Sequence, residues 1–454
     1  VTVLAWVLGV VLFVLGLGAS IALHEIGHLV PAKKFGVKVT QYMVGFGPTV
    51  RSRRRGETEY GVKMIPLGGY IRMVGMFPPK AGADPRFVRA SSTGRLGLLV
   101  DEARQQSLDE IMPGDEHRVF YRLSVPRKVV VMMGGPVMNL VIGVVLLTGI
   151  ITAYGVAVAQ PGAVVAAVSE CVLPATVASS QTVCAAGDPR TPAAAAGLRA
   201  GDKLISVGGQ PITSTSQVGD VVRSRVGVPV PFVVQRAGSR LTLMVTPVRN
   251  TVVRTGADGL PLTDSSGAVL TQQAGFIGIS SAQPSAIERQ PISVVPSYVG
   301  TQLKATAGVI LRLPQKMVGV AQAAFGSGPR DPNGPISIVG VGRVAGEVAS
   351  SDQIAGVTSS GDRIAFFLSL LASLNFALFV FNLVPLLPLD GGHVAGALWE
   401  GLRRSVARMR RLPDPGPADV ARMLPIAYVV SSLLVVTSVL LAYADIVKPV
   451  RLGG

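Results

Sequence analysis

Charge is the property this chain has least of. Only 15% of its 454 residues are Asp, Glu, Lys or Arg, against roughly 25% in ordinary globular domains. With 49% hydrophobic residues and a mean hydropathy of +0.49, that scarcity excludes an ordinary soluble protein. It points to an integral membrane protein with substantial water-exposed parts, long enough for about two or three domains. Cysteine is nearly absent too: Cys171 and Cys184 are the only two, which excludes Cys-rich metal chemistry. Both lie in one stretch between hydrophobic segments. A single disulfide is expected if that stretch faces an oxidising compartment, and two free buried thiols are the alternative. Acidic residues are outnumbered 26 to 42, for a net charge of +16. The basic residues cluster beside apolar runs, at Arg51, Arg53, Arg54 and Arg55 and again at Arg403, Arg404, Arg408, Arg410 and Arg411. That pattern is anchoring against anionic lipid headgroups. No basic groove interleaved with aromatics is present, so membrane lipid and not nucleic acid is the expected partner.

Four segments read as membrane spans: about Val3–Leu23, Val129–Val158, Ile364–Leu387 and Pro425–Tyr443. The first helix continues to about Pro31. It lacks a basic n-region and is longer than a usual signal-peptide core, and cleavage near Ala19 would detach it from residues 24–28, so it is read as a span. Lys33, Lys34 and Lys38 come after the first span, Arg127 and Lys128 precede the second, and the five arginines of 403–411 lie between the third and fourth. These loops should be cytoplasmic, with both termini and the region 159–363 outside.

Histidine is rare as well, with four in all, yet two of them stand in His24-Glu25-Ile26-Gly27-His28. This His-Glu-x-x-His places two imidazoles on one face of a helix at zinc-binding spacing, with a Glu set to activate water. The motif continues the uncharged run Val3–Leu23, where ionisable groups are costly and default to a functional reading. A hydrolytic zinc site needs a third protein ligand and one open position. His117 sits in a polar loop and reads as a surface residue. Asp390 is the better candidate, in Asn382-Leu-Val-Pro385-Leu-Leu-Pro388-Leu-Asp390-Gly-Gly-His393. It ends the third apolar run, two glycines after it permit close backbone approach, and Pro385 and Pro388 break the helix, which is tolerated at depth only beside a protein or watery cavity. A helix-capping Asp is the alternative. Asn382 and Asn139 are amides within apolar runs, either interhelical hydrogen-bonding groups or, for Asn382, a contact to substrate backbone or an oxyanion.

Between the spans, Tyr42–Pro48 and Glu59–Val74 read as short strands punctuated by Gly and Pro, while 78–122 carries little pattern. The external region begins with a compact domain of about 90 residues. Strand-like Ala163–Val168 precedes the cysteine-bearing insert, and Thr191–Ile212 reads as a short helix, a Gly-Asp turn, a strand and a Gly-Gly hairpin. Strands near Val230–Arg236 and Leu241–Pro247 come next, then a Gly/Asp/Ser-rich loop at 255–268. Residues 297–325 form an amphipathic helix lying on the membrane, interrupted by Pro314.

Taken together, these motifs resemble the site-2 proteases, intramembrane zinc metalloproteases, in their bacterial subgroup with an extracytoplasmic PDZ domain. The residues that carry the resemblance are His24–His28, Asn382 with Pro385, Leu389-Asp390-Gly391, Gly45-Phe46-Gly47-Pro48, Ile65-Pro66-Leu67-Gly68-Gly69-Tyr70, Gly135-Pro136-Val137-Met138-Asn139, Ala196–Asp202 and Gly334–Ile338. The resemblance implies a polytopic α-helical membrane protein of about four transmembrane helices with a membrane-reentrant β-loop and an inserted extracytoplasmic PDZ domain of mixed α/β structure. It divides the chain into the first span (1–32), a cytoplasmic segment with the β-loop (33–128, loop about 42–75), the second span (129–158) and the PDZ domain with insertions (159–290). An amphipathic juxtamembrane region (291–362), the third span (363–400), a basic cytoplasmic loop (401–424) and the fourth span with the C-terminus (425–454) complete it. By the same resemblance His24, His28 and Asp390 bind one Zn2+ and Glu25 is the general base. Asn382 contacts substrate, and Gly68, Gly69, Tyr70 and Ile71 offer a strand edge to an unwound transmembrane substrate. The implied function is site-2 cleavage of single-span proteins in regulated intramembrane proteolysis, by attack of zinc-activated water. Anti-sigma factors trimmed by a prior site-1 cleavage, or remnant signal peptides, are the implied substrates. The implied location is the plasma or inner membrane, multi-pass, with the active site toward the cytoplasm and the PDZ domain acting as a size filter or terminus binder.

Two rivals arise from the residues alone. A PDZ-bearing membrane scaffold with a structural metal has no need of Glu25, and a soluble-type protease on an anchor would not place its zinc helix at the end of Val3–Leu23.

Overall fold

The computed structural model describes residues 2–79, 95–173, 184, 187–254, 262, 269–326, 330–331, 334–350 and 359–450. The chain forms two units, Val1–Tyr154 with Gln290–Gly454, and Gly155–Arg289. Four helical segments of the first unit, Val3–Lys34, Val125–Tyr154, Ser360–Asn382 and Val420–Val447, are long and apolar enough to cross a bilayer. The protein is therefore a polytopic membrane protein with a sheet-rich unit inserted between its second and third spans.

Helix α1 (Thr2–Lys34) carries no charged residue before Glu25 and places Lys33 and Lys34 at its negative C-terminal end. It stops in a Schellman turn: the N–H groups of Gly36 and Val37 donate to the carbonyls of Lys33 and Ala32, and Gly36 adopts the left-handed φ of +82° that this turn requires. Strands β1 (Val39–Arg55) and β2 (Thr58–Met73) then fold back on each other twice. Residues 41–44 pair with 59–62 on one side and with 69–72 on the other, so the final segment of β2 is an edge. Helix α2 (Arg95–Asp109) precedes α3 (Val125–Gly149), whose Pro126 lies in the first turn, where a missing N–H is tolerated. One π turn, Ile150–Tyr154, closes it.

The second unit is built on a six-stranded sheet. Its elements are β3 (Val156–Ala159), β4 (Ala163–Val168), α4 (Pro192–Ala195), β5 (Lys203–Val207), β6 (Gln210–Pro211), α5 (Thr215–Arg223), β7 (Val230–Arg236), β8 (Ser239–Val245), β9 (Val248–Val253), β10 (Thr271–Phe276), β11 (Ile279–Ala282) and β12 (Ser285–Glu288). The sheet runs β11-β4-β5-β7-β8 with β6 on β5, every pair antiparallel. Alternate residues Val230, Phe232 and Val234 of β7 are buried, the period of two that a half-covered strand shows. They pack with Leu204, Val207 and the α5 residues Val218, Val221 and Val222. Thr191 caps α4 by accepting from the Ala194 N–H, and Cys171 and Cys184 are joined. The Gly/Asp/Ser-rich stretch at 255–268 lies, Leu262 apart, outside the described residues, as does most of the segment between the cysteines.

The first unit resumes with α6 (Val295–Leu311), α7 (Leu313–Phe325), α8 (Ile338–Ser350), α9 (Ser360–Asn382), α10 (Asp390–Met409) and α11 (Leu424–Val447). Pro314 starts a new helix after the break at Arg312, so the expected 297–325 helix is two. Helix α9 ends at Asn382, short of the expected Leu387, because Pro385 disfavours helical geometry in the residue before it. Helix α10 takes up the first half of the expected 401–424 loop, including Arg403, Arg404 and Arg408. Phe13 and Leu17 of α1 are buried against Ala345 of α8 and Leu370, Leu371 and Leu374 of α9. Asn375 of α9, wholly buried, donates to Ser20 of α1 at 3.0 Å.

In the second unit, Arg236 Nε and Nη2 donate to Asp202 Oδ1 and Oδ2 at 2.7 and 2.6 Å, and the Arg199 N–H donates to Oδ2 at 2.9 Å. The Arg236 guanidinium holds the Asp202 carboxyl below the usual carboxylate range. A depressed folded pKa stabilises at pH values above the unfolded value of about 4 and loses that contribution as pH falls through the folded value. Asp202→Asn should therefore make residues 155–289 more susceptible to proteolysis at pH 7, and the gap to the native protein should close only below about pH 4.

Candidate metal centre

His24 and His28 lie one turn apart on α1, and Asp390 opens α10. Their ligating atoms form a near-equilateral triangle. His24 Nε2 and His28 Nε2 are 3.3 Å apart, and Asp390 Oδ2 is 3.5 and 3.3 Å from them. Tetrahedral ligands about 2.0–2.1 Å from a zinc ion stand about 3.3–3.4 Å from one another. The three atoms thus fit three corners of a zinc tetrahedron, with the fourth free for water or substrate. Among the described residues this is the one cluster of His, Cys, Asp and Glu with that compactness. His117 is exposed and stands outside it, as does His393, one turn further along α10.

Close backbone contact brings the triangle together. An added Cβ on Gly27 of α1 would lie 2.2 Å from the Gly134 carbonyl oxygen of α3, and one on Gly134 would lie 1.9 Å from that of Gly27. At Gly135 an added Cβ would sit 2.2 Å from His28 Nε2 and 2.7 Å from His24 Nε2, so α3 forms the floor under both rings. Beyond the rings, His28 Nδ1 donates to the Val131 carbonyl at 2.8 Å, and His24 Nδ1 meets Asn139 Nδ2 at 3.0 Å. Asn139 is wholly buried, and its Oδ1 has no partner among the described residues. Asp390 is delivered by the sharp turn after α9, where a Cβ on Gly391 would lie 2.3 Å from the Val384 carbonyl oxygen. Farther along α10, buried Glu400 accepts from Lys128 of α3 at 2.7 Å and ties the two helices.

Glu25 is 7% exposed, beside the triangle and against the edge segment of β2: a Cβ on Gly69 would meet Glu25 Cγ at 2.9 Å. Gly68 packs on Phe46, whose ring also stacks on Tyr70 with centroids 6.4 Å apart, and Ile71 packs inward on the cluster around Tyr42 and Met73. Asn382 is half-buried in the last turn of α9. Only one spacing in the sequence hints that Asn139 touches a ligand: Val131, Gly135 and Asn139 recur every fourth residue, which makes one stripe of α3.

Ala in place of Gly is ordinarily favourable within a helix by about 1 kcal/mol. Gly135→Ala should nevertheless displace the imidazoles and reduce bound zinc at least about 10-fold, the scale of a disturbed ligand shell. Zinc content by elemental analysis, beside unchanged helicity by circular dichroism, checks this.

The profile of peptidase family M50 matches residues 12–411. The chain is similar to zinc metalloprotease Rip1 of Mycobacterium bovis, 33% identical over 451 residues, covering 98% of this chain and 99% of that protein. Zinc metalloprotease RasP of Geobacillus kaustophilus is 24% identical, covering 87% and 90%. Metalloprotease MmpA of Caulobacter vibrioides is 25% identical, covering 86% of each. On that full-length similarity, the chain belongs to peptidase family M50, the site-2 protease family, and is a zinc metalloprotease.

Proposed function

We propose that this metalloprotease cleaves a peptide bond within the transmembrane segment of a single-span membrane protein, with His24, His28 and Asp390 as zinc ligands and Glu25 as general base. One observation carries the reading: His24, Glu25 and His28 sit on a helix continuous with an apolar span, with Asp390 closing the triangle from α10, and Glu25 lies directly against a strand edge that pairs on one side only among the described residues. A helical peptide bond is hydrogen-bonded and sterically covered. Pairing with residues 68–71 extends the substrate, replaces its lost helical hydrogen bonds and exposes the scissile carbonyl. A groove of about 430 Å³ between residues 70–73 and α2, lined by Tyr70, Arg72, Ser107 and Glu110, leaves room beside that edge.

Zinc, when bound, supplies Lewis acidity that polarises the scissile carbonyl and acidifies water. Glu25 takes the proton of the attacking water and passes it to the departing amine. Its position against Gly69 keeps the carboxylate within reach of a substrate paired to that edge. Asn382 holds the substrate backbone from the broken end of α9. Burial of the helices around the site limits bulk water, so the same carboxylate serves both proton transfers.

In this reading β1 and β2 make the membrane-reentrant loop, and the Gly155–Arg289 unit is a PDZ domain facing outside the cell. The short capped helix α4, the Gly197 turn and the Asp202–Arg236 pair of that unit are in keeping with the motif at Ala196–Asp202. Lysines and arginines flanking the spans support a zinc site that faces the cytoplasm. Suitable substrates are anti-sigma factors shortened by an earlier cleavage, or remnant signal peptides. The same division assigns 291–362 to the juxtamembrane region and 401–424 to the cytoplasmic face.

Glu25→Gln should retain zinc while losing cleavage of a model transmembrane substrate by at least about 100-fold, the usual contribution of a general base. Cleavage by purified protein in detergent, read beside zinc content, tests this. Retained turnover would remove Glu25 from the mechanism, whereas retained zinc with no cleavage by the native protein would favour a structural metal.

A further inference from the structure

The two histidines are held by different means. His28 Nδ1 faces the carbonyl oxygen of Val131 at 2.8 Å. A carbonyl only accepts, so Nδ1 carries the ring proton and Nε2 turns its lone pair toward Asp390. Backbone alone sets this tautomer, and no side-chain replacement at residue 131 removes it. His24 has no such carbonyl: its Nδ1 faces the side-chain amide of Asn139, 3.0 Å away and wholly buried.

An amide can meet that nitrogen in two ways. With Nδ2 toward the ring, Asn139 donates to a bare Nδ1, the ring proton sits on Nε2, and Nε2 cannot ligate a metal. With the amide turned over, Oδ1 accepts from Nδ1–H, and the Nε2 lone pair points into the triangle. The outward atom of the amide, Oδ1, has no partner among the described residues. Turning the amide therefore breaks no hydrogen bond at that end.

We propose that Asn139 is a positioning residue for the metal centre: its Oδ1 accepts from His24 Nδ1–H and selects the tautomer in which His24 can bind zinc. This rests on His24, His28 and Asp390 being the ligands. Groups that accept the second ring proton of a ligand histidine orient the ring and raise its basicity, and losing one costs about 10–100-fold in metal affinity. The neighbouring geometry leaves the task to this residue. Gly135, one turn away on the same stripe of α3, has no side chain to offer, and Val131 already serves His28.

The test is competitive zinc titration of full-length protein purified in detergent, with Asn139→Leu and Asn139→Asp compared. Leu keeps the volume and removes the acceptor, so zinc affinity should fall about 10–100-fold. Asp restores an acceptor, and its affinity should return toward the native value. Nitrogen NMR of zinc-loaded native protein with labelled histidine should show His24 protonated at Nδ1. Unchanged affinity in Asn139→Leu, or a bare Nδ1 in the native protein, would overturn the inference. Equal losses in both variants, with helicity intact, would also overturn it and leave Asn139 a packing residue. His28→Ala tests the ligand assignment separately. If that variant holds zinc as tightly as native protein, the assignment itself fails.

Discussion

The contact on which this structure depends is backbone against backbone. Helices α1 and α3 touch at Gly27 and Gly134 with no room for a methyl group on either. Small residues at a helix crossing let apolar helices approach where no hydrophobic force drives them together in lipid. Here the approach has a chemical result. His28 faces Val131 and His24 faces Asn139, so the helices run antiparallel across the site, and α3 supplies everything the rings need on their outer side. Without this crossing, the His-Glu-x-x-His motif would be two unsupported imidazoles on a span.

The third corner arrives by a different device. Helix α9 stops at Asn382, the proline-rich turn reverses the chain, and α10 begins with the Asp390 carboxylate in its first turn. A carboxylate there also suits the positive end of a helix. Helix α10 cannot drift from α3, because Lys128 and Glu400 form a buried pair whose separation would leave uncompensated charge. The cost of burying charge thus serves to hold the metal triangle at its dimensions.

The strand edge beside Glu25 depends on the same arrangement. The edge segment of β2 reaches Glu25 only because Gly69 has no side chain, and the edge's inner residues, Ile71 and Met73, anchor it on the core beneath α1 and α3. A strand so anchored is rigid on one side and unpaired on the other, the condition for adding a second strand.

Much of this was legible in the sequence for identifiable reasons. Uninterrupted apolar runs declare spans, because charge in hydrocarbon is costly. Two histidines at helical spacing with a glutamate between them declare a zinc helix, because the helix repeat is invariant. Prolines before Asp390 declare a broken span. Gly135 and Asn139 contributed to the family resemblance but did not declare their place beside the rings, since an amide or a glycine in an apolar run has many uses, and its use is set by which helix lies opposite. The division of 297–325 into two helices and the extension of α10 through Met409 were equally hidden, because helix ends depend on packing as well as on local preference. Periodicity and composition, which act along the chain, thus determined the class of protein and the spacing that sets His24, Glu25 and His28 together on one helix. Only the tertiary structure decided how closely Asp390 approaches the two imidazoles and what supports each ring, because those are distances between residues about a hundred or more positions apart, as His28 is from Val131.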